Sequence, residues 1–216
     1  MKNAHPISDM QSLLNQIREF QLKRIEDTYA DFLRQPQFNK LGDFFRNYVY
    51  SVVDQETKKQ RDVAFEKVYE KAARALGAAR VEAAAKMIAL NTLTDKLDEN
   101  MAEIFLKEFS GQSLNRENYE ACYVMAKNQP DRLRQIEYLI ETTTFAHKLS
   151  RFMMLGWGIK LVKAGTKKMG IDFIMNYFEA GYDTFRDIKS ITEFLNCVKA
   201  REFSYMHSLF SSKSYA

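Results

Sequence analysis

Apolar side chains recur along most of this chain at steps of three, four and one, a period that fits one kind of backbone. Leu41, Phe44, Phe45, Tyr48, Val49 and Val52 make the sharpest stripe. On a helix they share one narrow face, whereas on a strand they would scatter over both. The same period runs through Met10, Leu13, Leu14, Ile17, Ile25, Tyr29, Phe32 and Leu33, then through Phe65, Val68, Tyr69, Ala72 and Leu76. Breakers are scarce: 3 Pro and 8 Gly in 216 residues leave too few turn signals for a strand-rich fold. With 16 Phe, 11 Tyr and 10 Met the chain holds ample apolar area to offset its conformational entropy. The expected fold is all-α: an irregular multi-helix bundle of about seven to nine helices around one shared core. It forms a single domain over residues 1–216, with 1–7 and 211–216 frayed.

Local signals place the boundaries. Ser8 and Gln11 have the spacing of a capping box, and Pro36 closes a long first helix. Gly77 is placed to cap the helix before it, and the next runs from Val81 to near Gly111 through Leu97, Met101, Ile104 and Phe105. Asn115 caps a short helix, and Pro130 suits the first turn of another. The β-branched run Thr142, Thr143, Thr144 predicts a kink or boundary. A helix from Phe145 to about Lys163 follows, interrupted by Gly156 and Gly158 around Trp157. Ile171, Ile174, Met175, Phe178, Tyr182 and Phe185 mark one further helix, and Ile188, Ile191, Leu195, Val198, Tyr205 and Leu209 the last.

Cys122 and Cys197 lie in apolar helical contexts without metal-type spacing, which reads as two free thiols in a reducing compartment. Asp9 and Glu19 interrupt any secretory signal, and the apolar stretch 152–159 is too short to span a bilayer. The expected location is the cytoplasm, with no transmembrane segment.

Catalytic and metal signatures are missing from the sequence. The histidines are His5, His147 and His207, and none stands in a Glu-x-x-His or His-Glu-x-x-His pattern. Gly156 and Gly158 follow a helix rather than a strand, so a dinucleotide loop fails on context. No catalytic residue, cofactor or metal is assigned, and a non-enzyme is the favoured expectation.

Two features invite a function. The first is a run of cations: between Glu141 and Asp172 there is no acid, while Lys148, Arg151, Lys160, Lys163, Lys167 and Lys168 are all present. The net charge is +4; residues 1–108 carry 17 basic and 17 acidic side chains, so the excess lies in 109–216, with 15 against 11. Lys160, Lys163 and Lys167 share one helix face, a surface that fits an anionic partner, although neighbouring helices could equally supply its counter-charges. The second is Glu202, a carboxylate on an otherwise apolar stripe. It either reaches solvent at the stripe's edge, pairs with a buried arginine (Arg61 or Arg151), or serves as a functional acid. Glu179 poses the same question more weakly.

Residues 44–50, Phe-Phe-Arg-Asn-Tyr-Val-Tyr, resemble the motif of a bacterial family named for the sequence FFLEELY. Arg61-Asp62 downstream, and residues 173–185 (FIMNYFEAGYDTF) and 194–202 (FLNCVKARE), are similar to further stretches of that family. Arg46, Asn47 and Tyr48 replace its Leu-Glu-Glu. The resemblance spans nearly the whole chain and implies a helical fold without an assigned activity. The leading expectation is therefore a non-enzymatic interaction or adaptor protein that contacts another macromolecule through the basic face, a protein partner or a homo-oligomer being possible. A small-ligand protein or enzyme with a pocket near Glu202, Arg61 and Trp157 is one alternative. Nucleic-acid binding is another, and peripheral membrane contact the least favoured.

Overall fold

The computed structural model describes residues 6–49, 63, 78–151 and 172–212. Among them are eight α-helices and no strand: α1 (Pro6–Thr28), α2 (Ala30–Leu33), α3 (Asn39–Phe44), α4 (Ala78–Glu108), α5 (Arg116–Met125), α6 (Gln129–Ser150), α7 (Asp172–Phe185) and α8 (Thr192–Ser212). A π-helical turn, Phe45–Val49, continues α3. The all-α bundle expected from the apolar period is what the chain forms.

Several boundaries follow their local signals. Asn115 accepts from the Asn118 amide at 3.1 Å while the Asn118 side chain accepts from the Asn115 amide at 2.8 Å, a reciprocal cap at the start of α5. Pro130 sits in the first turn of α6, where its missing N–H costs nothing. After α4 the chain turns at Gly111, whose φ of 82° suits a residue without Cβ.

Others differ. The long first helix breaks at Tyr29 into α1 and α2, ahead of Pro36. The threonine run makes no boundary: α6 continues through it. Thr142 and Thr144 donate to the carbonyls of Tyr138 and Ile140, four residues back, each at 2.7 Å, so their hydroxyls are satisfied inside the helix. Ile188 and Ile191 precede the last helix, yet both are buried. Gly77, the Gly156–Gly158 interruption and the helix expected beyond Arg151 lie outside the described residues.

Among the described residues the buried apolar side chains gather into two clusters. In the first, Leu13, Leu14 and Ile17 of α1 meet Met101, Ala102 and Phe105 of α4, Tyr119, Cys122 and Tyr123 of α5, and Met206 and Leu209 of α8. In the second, Tyr29, Phe32, Phe38, Leu41 and Phe44 meet Phe185, Ile188, Ile191, Phe194, Leu195 and Val198. Phe194 gathers the aromatic rings here, edge-on to Tyr29 and Phe32 and tilted against Phe38, with centroids 5.4 to 5.8 Å apart. Both α1 and α8 run through the two cores, and where they cross from one to the other their inward faces turn polar.

Candidate functional site

That crossing is a belt of charge. On α1, Arg18, Gln21 and Arg24 follow one another at three-residue steps, so they share a face with Ile17 and Ile25. Each meets a carboxylate on another helix. Arg18 Nη2 lies 2.9 Å from Asp95 Oδ1 on α4. Gln21 Nε2 donates to Asp98 Oδ1 at 2.8 Å, on the next turn of α4. Arg24 forks onto Glu202 of α8, with Nη1 to Oε1 at 3.1 Å and Nη2 to Oε2 at 2.8 Å. A two-pronged guanidinium–carboxylate pair fixes orientation as well as distance.

Glu202 is therefore not at the solvent edge: it pairs with an arginine, Arg24, and among the described residues no ion pair joins it to Arg151. Its side chain is 14% exposed, and the Tyr29 hydroxyl donates to Oε1 at 2.7 Å besides the Arg24 fork. Burial and the facing Glu202 charge together push the Tyr29 hydroxyl far above the usual phenol range, so it remains a donor at any physiological pH. Arg61 and Trp157, the other residues expected nearby, lie outside the described residues. Next to Glu202, Arg201 forks onto Asp31 at 2.7 and 2.8 Å and also donates to the Thr28 carbonyl. Two consecutive side chains of α8 thus hold the α1–α2 break from both sides.

The deepest part of the belt lies between α4, α5 and α6. Asp98 is 1% exposed and Arg132 of α6 is 4% exposed. Arg132 lays its guanidinium over the Tyr123 ring, 4.5 Å from the centroid. Its Nη2 donates to the Met101 sulfur at 2.9 Å, and its Nη1 to Gln135 Oε1 at 3.2 Å. Among the described residues neither Arg132 Nε nor Asp98 Oδ2 has a hydrogen-bond partner; Arg18 Nε stands 3.7 Å from Asp98 Oδ2. Burial pushes the Asp98 carboxyl above the ordinary aspartate range, outweighing the Arg132 and Arg18 charges and the Gln21 bond that favour ionisation. Reading the stripes alone missed Arg18, Gln21, Asp95, Asp98 and Arg132. The available signal was polar residues at inward positions: Gln21 one turn on from Ile17, and Asp98 one turn before Met101.

Of the six predicted cations, the described residues include Lys148 and Arg151. Both are exposed at the C-terminal end of α6, and Lys148 makes no ion pair among the described residues. Arg151 Nη1 and His147 Nε2 both reach the Ile188 carbonyl, at 3.3 and 2.8 Å, fastening this end of α6 to the α7–α8 connection. Lys160, Lys163, Lys167 and Lys168 lie outside the described residues. Both cysteines are free; Cys122 is buried, which pushes its thiol up to about 11, and Cys197 is half-buried. Among the described residues no group of three or more His, Cys, Asp or Glu is arranged to hold a metal ion. No helix among them is long and apolar enough to cross a membrane.

A family model described as "Domain of unknown function (DUF8198)" matches residues 2–216. No curated protein and no solved structure matches the chain.

Proposed function

The chain belongs to that family of unknown function, and we propose that it acts as a non-enzymatic adaptor whose basic surface, beginning at the end of α6, contacts an acidic protein. The observation that carries this reading is the exposure of Lys148 and Arg151 where the acid-free run of residues 142–171 begins. Nearby carboxylates are engaged elsewhere: Glu141, on the same helix, pairs with Lys86 at 2.6 Å, and Asp187, beside Ile188, with Lys40 at 2.6 Å. Lys189, next to the Ile188 carbonyl that anchors Arg151, adds a further exposed cation. Concentrated positive charge of this kind speeds encounter with an acidic partner and selects against basic ones.

The same reading treats residues 44–50 as this chain's version of the bacterial FFLEELY motif. It also places the protein in the cytoplasm, where free thiols persist.

The test is retention of the intact protein on immobilised polyglutamate. Changing Lys148, Arg151, Lys160, Lys163, Lys167 and Lys168 together to Glu should weaken retention by about tenfold or more. Unchanged retention would remove the basic surface from any account of function, and stronger retention of the wild type on DNA or RNA would replace the acidic protein with a nucleic acid.

A further inference from the structure

Asp98 and Arg132 carry opposite formal charges, are both almost wholly enclosed, and each keeps an atom without a hydrogen-bond partner among the described residues. Arg132 is the charge acting most strongly on Asp98. Yet the guanidinium spends its bonds on a thioether and an amide oxygen, poorer acceptors than a carboxylate. A buried charged pair standing this way is an ion pair held open. An ionised oxygen without a donor costs far more in such a place than a neutral one, so the arrangement suits a protonated Asp98.

We propose that Asp98 and Arg132 form a proton-gated latch between α4 and α6. With Asp98 neutral, Arg132 rests on Met101 and Gln135, and Gln135 in turn donates to Thr94 Oγ1 of α4 at 2.8 Å. When Asp98 releases its proton to solvent, Arg132 turns Nε toward Oδ2 and lets go of the Met101 sulfur. The groups facing Asp98 from every packed element favour this direction of movement or leave it open. Gln21 of α1 holds Oδ1; Arg18 of α1 bonds Asp95, itself a negative charge that resists ionisation of Asp98, and brings its Nε to 3.7 Å from Asp98 Oδ2, beyond hydrogen-bond reach. Tyr119 of α5 is buried beside them, and burial pushes its hydroxyl up, so it stays neutral. Arg18 is held by its bond to Asp95, whereas Arg132 has a free Nε and only weak bonds to surrender.

Stability should follow the same proton. Because burial raises the Asp98 carboxyl in the folded chain, the folded state holds this proton more tightly than the unfolded one. The group's contribution to stability is full below the ordinary aspartate range. It is lost as pH rises through the raised value.

The experiment follows the Met101 methyl resonance by carbon–proton NMR in protein labelled at the methionine methyls, titrated from about pH 4 to about pH 9, with Met101→Leu to assign it. The latch requires that the Met101 signal move through one titration step in the wild type and stay fixed in Asp98→Asn, which keeps the Gln21 bond but cannot ionise. A Met101 signal that ignores pH in the wild type overturns the proposal, whether or not the Asn variant folds. A step that persists in Asp98→Asn also overturns it.

Discussion

Glu202 stands on a stripe otherwise made of Ile, Leu, Val and Tyr, and a carboxylate in that position must find a cation or leave the interior. That requirement is readable from the stripe. Which cation answers it is not, because Arg24 lies 178 residues away in the chain and only the crossing of α1 with α8 brings the two together. The two oxygens are shared among three donors, so their removal is unequal in effect. Glu202→Ala leaves the half-buried Arg24 fork and the Tyr29 hydroxyl facing an apolar wall, and should lower the unfolding free energy by about 3 kcal/mol. Tyr29→Phe removes one donor and keeps the fork, at a cost of about 1 kcal/mol. Urea denaturation of the two single variants and the double one checks this. If the Phe variant loses as much as the Ala variant, the fork is not the main contact.

At the scale of elements, agreement between residue pattern and structure tracks how local the deciding interaction is. The α5 cap was legible because both partners lie within one turn, Asn115 and Asn118. The Tyr29 break was not, since Arg201 and Glu202 hold it from the far end of the chain. The threonines of α6 misled for a related reason. β-Branching weakens an isolated helix, but here Thr142 and Thr143 are buried by packing, and the hydroxyls of Thr142 and Thr144 bond back within the helix. Asn115→Ala should therefore act locally, removing the half of the cap in which the Asn115 side chain accepts from the Asn118 amide and costing about 1 kcal/mol. Hydrogen exchange would show the loss first at the Asn118 amide, which donates to the Asn115 side chain. Full protection of that amide in the variant would mean that packing, rather than the cap, sets the start of α5.

Across the whole molecule, apolar periodicity leads to the helices but does not say that their buried faces gather into two clusters. Periodicity reports which side of a helix is buried, not against which partner, and a polar residue inside the stripe looks the same whether it interrupts one core or separates two. The belt decides how these cores behave. Because α1 and α8 each contribute to both clusters and are tied by the Arg24–Glu202 fork at the crossing, neither cluster can come apart without disturbing helices that the other needs. Ile188, with no exposed surface in the second core, is the sharpest probe. Ile188→Ala should cost about 2–5 kcal/mol through lost burial and the cavity left behind. If the cores unfold together, amides of α5, which belongs to the first core and does not touch Ile188's cluster, should lose the same free energy of protection by hydrogen exchange. Faster exchange confined to α2, α3, α7 and the first turns of α8 would instead make each core a separate cooperative unit, with the belt an interface between them rather than the stitching of a single one.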